Sequence, residues 1–64
     1  MPWVRIDLSE GRTPQQKKEV AVAITDVMSR VFGCTKESVS IVFSDVKPHD
    51  WSSSGRLLSE PKEG

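Results

Sequence analysis

The second residue of the chain, Pro2, is the first candidate for chemistry. If Met1 is removed, the ring nitrogen of Pro2 becomes a free amine whose pKa starts from the α-amino value of about 8. Apolar walls and nearby cations disfavour the protonated amine, so they move its pKa towards neutrality, where a general base works best. If Met1 is retained, the same nitrogen belongs to a tertiary amide and is not basic. The alternative is that Pro2 only begins a strand, a position where proline is tolerated.

Two other residue types that often do chemistry offer less here. His49 lies between Pro48 and Asp50 in a predicted loop, where we expect a partly solvated side chain. Cys34 is the only cysteine, so no disulfide can form within the chain, and nothing beside it in sequence would strongly lower its pKa. No paired carboxylates stand out as the water-activating site of a hydratase or dehalogenase.

Size and charge limit the possible classes of protein. A chain of 64 residues buries only about 60% of its unfolded surface, and with neither disulfide nor zinc spacing it needs oligomerisation for stability. Lys plus Arg and Asp plus Glu number nine each, which argues against a nucleic-acid partner. No apolar run approaches the roughly 20 residues that span a bilayer, and no signal pattern opens the sequence. We therefore expect a cytoplasmic protein with no membrane partner.

The elements that position Pro2 can be predicted from local patterns. Residues 3–8 alternate, with Val4, Ile6 and Leu8 on one face, which is typical of a strand. Thr13 and Gln16 fit a capping box around a proline at the first helical position, and Gly33 fits the residue just past a helix end. A helix is therefore predicted over residues 14–32.

The remaining pattern predicts the other faces and elements. A buried helix stripe is expected at 3.6-residue spacing, whereas Lys17 and its neighbours on the polar face are expected in solvent. That stripe comprises Val20, Ile24, Val27, Met28 and Val31. Residues 39–46 are rich in β-branched and aromatic side chains, which favours a second strand.

These elements predict one α/β (α+β) domain over residues 1–64. A strand, a helix and a strand in about 45 residues form a βαβ unit with parallel strands and a right-handed crossover. The tail is predicted to form a small hairpin over residues about 49–58 that adds to a neighbouring subunit, followed by a frayed end at 60–64.

Taken together, these motifs resemble those of the 4-oxalocrotonate tautomerase family over roughly residues 2–58. The matching features appear in order along the chain: Pro2, the turn Glu10-Gly11-Arg12-Thr13, the helix start Gln16-Lys17, the strand start Ser38-Val39, the segment His49-Asp50-Trp51, and Gly55. The resemblance implies a short βαβ subunit that assembles into dimers and then into a trimer of dimers, a homohexamer; a hetero-oligomer is the alternative.

The resemblance also implies roles for individual residues. Pro2 is the general base that moves a proton between oxygen and carbon of an enol and keto pair, and no metal or organic cofactor is implied. Arg12, from the same or an adjacent subunit, binds a substrate carboxylate, and Trp51 walls an apolar pocket. The implied substrates are small 2-oxo acids such as 2-hydroxymuconate or the enol of phenylpyruvate. Without the resemblance, Arg12 would be interpreted as a solvated residue of the turn, and Trp51 as an aromatic side chain in an oligomer interface.

Ser40 departs from the family pattern, because many members that process dicarboxylates carry a second arginine at this position of strand two. Loss of one such contact in a dry site costs about 2–4 kcal/mol in the transition state, so we expect a weak or altered tautomerase. Arg5 or Arg56 is a candidate replacement, and the Ser40 hydroxyl is a candidate donor. The rival hypothesis is a non-catalytic subunit or small-ligand binding member, inactive because of Ser40 or a retained Met1.

Overall fold

The computed structural model describes residues 2–61. The elements are β1 (Trp3–Ser9), α1 (Pro14–Phe32), β2 (Ser40–Val46), β3 (Ser52–Ser53) and β4 (Arg56–Leu57), with short 3₁₀ turns at Lys36–Ser38 and Pro48–Asp50. This order is the predicted βαβ unit followed by a C-terminal hairpin.

The two long strands form a parallel ladder, as predicted. Trp3 pairs with Ser40 at one end and Ser9 pairs with Val46 at the other. The ladder is extended at its start by a hydrogen bond from the Ser40 amide to the Pro2 carbonyl, at 3.0 Å. A bond from the Glu10 amide to the Val46 carbonyl, also 3.0 Å, extends it at its end. The strands are therefore held in register along their whole length.

The helix between them begins and ends at the predicted signals. The Thr13 side chain accepts from the Gln16 amide at 3.1 Å, and the Gln16 side chain accepts from the Thr13 amide at 2.9 Å, which completes the capping box. Gly33 adopts a left-handed conformation with φ of 70° and donates its amide to the Ser29 carbonyl. Each end of α1 is therefore set by residues that lie close together in the sequence.

One face of the sheet is covered by the helix and the other is bare. Val4, Ile6 and Leu8 of β1 alternate as half-buried residues with exposed neighbours, as predicted. On the bare face Trp3 is 72% exposed and Val42 of β2 is 43% exposed. Apolar side chains on this face have no cover within the described part of the chain.

The predicted helix stripe is only partly covered, which corrects the sequence analysis. Ile24 and Met28 are half-buried, but Val20, Val27 and Val31 are 44%, 48% and 62% exposed. The reason is that the covered face of the helix is offset from the stripe: Lys17, Ala21, Thr25 and Ser29 are half-buried in place of the three valines, so only Ile24 and Met28 belong to both faces.

The hairpin extends away from the βαβ unit. The Cα radius of gyration is 15.6 Å, against about 11 Å for a compact chain of this length. Ser54 and Gly55 both have positive φ, 55° and 77°, as the type I′ turn between two short strands requires. Glu60, at the start of the predicted frayed end, accepts from the Leu57 amide at 2.6 Å, whereas 62–64 lie outside the described residues.

The chain by itself has little interior. None of the residues that the structure describes falls in the fully buried class, and the accessible surface is 5123 Å². A compact monomer of 7.1 kDa exposes about 4,100 Å² of surface. This chain therefore exposes roughly 1,000 Å² more accessible surface than a compact monomer of the same mass.

Candidate functional site

Pro2 and Ser40 lie together at the amino-terminal end of the sheet. Pro2 is half-buried, and its carbonyl oxygen is 3.0 Å from the Ser40 amide nitrogen. Ser40 pairs with Trp3 in the ladder, so its side chain shares the bare sheet face with that indole. Met1 lies outside the described residues. The backbone therefore places Pro2, the predicted general base, next to Ser40, the neutral residue that stands where many family members carry a second arginine.

Arg12 lies at the opposite end, in the turn between β1 and α1. Gly11, with φ of 121°, takes a backbone conformation that other residues rarely adopt and so turns the chain towards the helix. Arg12 is exposed and lines a shallow groove of about 290 Å³. The other residues lining this groove are Leu8, Gln16, Lys17 and Val20. We call it the Arg12 groove.

A second cation in the Arg12 groove is already neutralised. Lys17 Nζ lies 2.8 Å from the Asp45 carboxylate of β2, and the Lys17 side chain is 23% exposed. This position corrects the expectation that Lys17 lies on the solvated face. Lys17 is one turn before Ala21 on the sheet side of α1, so its aliphatic stem covers the sheet while its ammonium reaches Asp45.

The Arg12 guanidinium is not compensated in this way. Among residues 2–61, no carboxylate lies within ion-pair distance of Arg12 and no hydrogen bond engages its side chain. The groove therefore presents one available guanidinium beside the aliphatic side chains of Leu8 and Val20. Such a surface can bind a carboxylate that carries an apolar substituent.

Trp51 is at the same end of the sheet as Arg12. Because β2 runs parallel to β1, the chain leaves β2 at that end and continues through the 3₁₀ turn to Trp51. Trp51 is half-buried, and its carbonyl accepts from the Leu58 amide at 2.9 Å, which closes the hairpin. His49 in the same turn is 61% exposed, with Nε2 at 3.5 Å from the Asp50 carboxylate.

The four predicted site residues therefore form two pairs, not one cluster. Pro2 and Ser40 are at the start of the strands, and Arg12 and Trp51 follow their ends. The seven residues of β1 rise about 3.3 Å each, which separates the two ends by about 20 Å. One small substrate cannot reach both pairs within a single chain.

The two arginines considered as replacements are both engaged. Arg5 Nε is 3.2 Å from the Asp7 carboxylate on the bare sheet face, and both side chains are more than half exposed. Arg56 donates through Nη2 to the Pro61 carbonyl at 2.6 Å, within the hairpin tail. Arg5 is on the same sheet face as Ser40, two ladder pairs further along, whereas Arg56 is on a separate element.

The sequence did not predict the Lys17–Asp45 pair, nor that Leu8 and Val20 would line a groove beside Arg12. Asp45, the charged residue of β2, was the available signal for a cationic partner on a neighbouring element. Among residues 2–61 no three His, Cys, Asp or Glu side chains group as metal ligands would. The helix between residues 14 and 32 is not both long and apolar enough to cross a bilayer, and the described part of the chain has no other candidate.

The geometry can be compared with known proteins. The family described as Tautomerase enzyme matches residues 2–60. A protein of Ralstonia nicotianae named "probable tautomerase" is 40% identical over 60 residues, or 94% of this chain and 92% of that protein. A solved 4-oxalocrotonate tautomerase homologue superposes with a TM-score of 0.90 at 34% identity over 100% of both chains. A heterohexameric 4-oxalocrotonate tautomerase from Chloroflexus aurantiacus has a TM-score of 0.89 at 29% identity, over 97% of this chain and 100% of that chain.

The matched region includes both ends of the sheet. It begins at Pro2 and extends past Arg12, Ser40 and Trp51. The solved homologue aligns end to end, so the likeness covers the hairpin as well as the βαβ unit. The chain therefore belongs to the tautomerase family and has the fold of the 4-oxalocrotonate tautomerase homologues.

Proposed function

We propose that this protein is a cofactor-independent tautomerase that interconverts the enol and keto forms of small 2-oxo acids. The observation that carries the proposal is the family match, which begins at Pro2 and includes Arg12. Removal of Met1 would expose the Pro2 nitrogen as an amine with the rigidity of a ring and a pKa near 8 before its surroundings act on it.

In the proposed reaction Pro2 moves one proton and no other group. The neutral amine takes the proton of the enol hydroxyl, and the oxygen electrons form the carbonyl as the carbon–carbon double bond shifts. The same nitrogen, now protonated, returns that proton to carbon, and the amine is regenerated. Atoms and charge balance without a metal or an organic cofactor.

Arg12 and Trp51 act on the substrate from outside the proton transfer. The Arg12 guanidinium would bind the substrate carboxylate through two parallel hydrogen bonds. Trp51 would exclude water and keep the amine neutral by burial. Since about 20 Å separates these residues from Pro2 in one chain, the proposed site needs Pro2 of one copy and Arg12 of another.

Self-association is therefore part of the proposal. The excess of roughly 1,000 Å² over a compact monomer is the scale of surface that a stable interface removes. A homohexamer built as a trimer of dimers would cover the bare sheet face and the exposed stripe of Val20, Val27 and Val31. The relative from Chloroflexus aurantiacus is a heterohexamer, so a mixed assembly is the alternative.

The test combines an intact mass with a ketonisation assay on the purified protein. The expected mass lacks the initiator methionine, and enol disappearance followed by absorbance should be catalysed. Pro2→Ala should lower kcat by 10²-fold or more, in line with the contribution of a positioned base. Pro61→Ala is the matched control and should keep wild-type rates. Equal rates for Pro2→Ala and wild type would reject Pro2 as the base.

The second candidate is a non-catalytic or ligand-binding subunit of such an oligomer. It is favoured by the neutral Ser40 beside Pro2 and by the heterohexameric relative. A retained initiator methionine, together with no turnover and an intact oligomer, would support this candidate over the enzyme.

A further inference from the structure

The bare sheet face carries one charged pair among neutral side chains. Arg5 and Asp7 lie on β1 with one residue between them, so both are on the face opposite α1. The other side chains of this face are Trp3, Ser9, Ser40, Val42, Ser44 and Val46. The face therefore has one positive and one negative charge, in neighbouring rows of the ladder, and no net charge.

This pair is only partly satisfied within the chain. Arg5 donates through Nε to the Asp7 carboxylate at 3.2 Å, and the two side chains are 63% and 52% exposed. Within residues 2–61 the terminal nitrogens of Arg5 donate no hydrogen bond, and the Asp7 carboxylate accepts from no other group. An exposed pair of this kind adds little to the stability of a single chain. Its unused donors and acceptor are available to a partner.

Exposed apolar side chains lie beside the pair. Trp3, one row before Arg5, is 72% exposed, and Val42, opposite Arg5 in the ladder, is 43% exposed. A partner that covers this face would remove their apolar surface from water, which is favourable. The same cover would take Arg5 and Asp7 out of water, which is unfavourable unless the partner supplies an opposite charge to each of them.

These conditions favour a second copy of the same chain as the partner. A surface with only acidic or only basic groups would attract one member of the pair and repel the other. A second bare sheet face carries both charges at the same spacing, about 6.6 Å for two residues along a strand. If two such faces meet about a twofold axis that crosses the strands between the charged rows, Arg5 of each copy lies opposite Asp7 of the other.

The bare sheet face is too narrow to hold an assembly by itself. Two strands of seven residues cover about 10 Å by 20 Å, well under the roughly 800 Å² that each partner contributes to a standard interface. The exposed stripe of Val20, Val27 and Val31 on α1 offers further apolar area away from this face. Disruption of the pair should therefore reduce the size of the assembly without removing every contact.

We propose that the bare sheet face is a self-recognition surface, in which Arg5 of one copy pairs with Asp7 of another. The proposal rests on the self-association in the proposed function and deepens it, because the surface selects identical copies over a mixed assembly. A different chain would fit only if it carried the same two charges at the same spacing.

Reversal of one charge at a time is the first test. Arg5→Asp gives a face with two carboxylates and Asp7→Arg gives a face with two guanidiniums, so each variant should repel its own copies. Light scattering at one fixed ionic strength should show a smaller mass for each variant alone, with self-association weakened by about 100-fold. An equimolar mixture of the two should regain the wild-type mass, and native mass spectrometry should show a 1:1 composition.

Exchange of both charges tests recognition itself. The double variant Arg5→Asp with Asp7→Arg keeps both charges in reversed order, so it should assemble with itself to the wild-type mass. Against the wild type it places like charges opposite each other, so the two proteins should sort into separate assemblies when they are refolded together. Arg5→Gln with Asp7→Asn is the matched neutral control and should mix with the wild type more readily than the charge-reversed variant does.

Three results would overturn the proposal: wild-type mass for both single variants, free mixing of the charge-reversed double variant with the wild type, or a wild type that stays monomeric. Circular dichroism of each variant separates loss of assembly from loss of fold. If the single variants do not fold, the sorting experiment decides.

These readouts do not depend on turnover, so they separate the recognition surface from the enzyme. Sorting by charge without ketonisation would reject the enzyme and support the surface. Ketonisation by assemblies that ignore these charges would support the enzyme and reject the surface.

Discussion

The two ends of the parallel sheet differ in what they contribute to the proposed site. The amino-terminal end carries Pro2 and Ser40, which are tied by a backbone hydrogen bond and bring no side-chain charge. The carboxyl-terminal end carries Arg12 in an apolar groove and, beside it, the neutralised pair Lys17–Asp45. One end has the candidate base and the other the candidate anchor, at a separation of about 20 Å. A βαβ subunit of this length therefore contains both halves of the site but cannot join them by itself.

The largest effect is expected when the two halves of the proposed site are placed in different chains. Pro2→Ala should lower kcat/KM by about 10²-fold, and Arg12→Ala should lower it by about 10- to 100-fold. After denaturation together and refolding as an equimolar mixture, they should regain about a quarter of wild-type activity, since random assortment joins intact Pro2 and intact Arg12 in that share of sites. Activity of the mixture no higher than that of the better single variant would mean that both residues act from one chain.

The next largest effect should come from preventing copies from meeting. Val27 lies on the apolar stripe of α1 and is 48% exposed in the single chain. Aspartate at this position should be tolerated in the single chain but not in an interface, where its charge would be buried. Val27→Asp should lower the oligomer mass measured by light scattering, and the same variant should lose turnover. Val22→Asp is the matched control, because Val22 is 52% exposed and lies between the charged side chains of Lys18 and Asp26. An intact, active Val27→Asp oligomer would contradict the assignment of this stripe to an interface.

A smaller effect should sharpen the description of the carboxyl-terminal end. Lys17→Met keeps the aliphatic stem over the sheet but leaves the partly exposed Asp45 carboxylate without its partner beside the Arg12 groove. Repulsion between that carboxylate and the substrate should raise KM severalfold, with kcat changed less. The double variant Lys17→Met with Asp45→Asn should recover the wild-type KM, and Lys18→Met should not alter it. A KM unchanged in Lys17→Met would show that the pair is only structural.

The smallest effect is expected at His49, near the carboxyl-terminal end but outside the groove. Its imidazole is 61% exposed and lies 3.5 Å from Asp50, and at a surface even an ion pair between the two would be worth at most about 1 kcal/mol. His49→Ala should change kcat/KM by less than about twofold across pH 6–8. A loss of more than tenfold would assign this residue a part in proton transfer and weaken the case for Pro2 alone.

Some features of the fold were predictable because their causes are local. The capping box of Thr13 and Gln16 and the left-handed Gly33 require only neighbouring residues, so the bounds of α1 follow from sequence. The alternation of Val4, Ile6 and Leu8 identified the covered face of β1 for the same reason. The parallel pairing followed from the order of elements, because a helical crossover brings the second strand back in the same direction.

Other features depended on elements that are distant in sequence. Lys17 and Asp45 are 28 positions apart, and a lysine on a polar run gave no sign that its stem would cover the sheet. The apolar stripe of α1 is partly uncovered, contrary to the prediction, because the side of the helix that is covered depends on how distant segments pack against it. The site prediction named four residues without showing that they would fall at opposite ends of the strands.

Local signals in the sequence specify the elements and their order, since caps, alternation and turn residues act over a few positions. Which charges are paired, and how far apart the candidate residues lie, follows from the packing of the folded chain. Direction and register of the strands set those distances, and both arise from pairing between segments that are separated by a whole helix. The pairing places Pro2 and Arg12 beyond each other's reach, and that separation is the physical reason for proposing a site shared between copies.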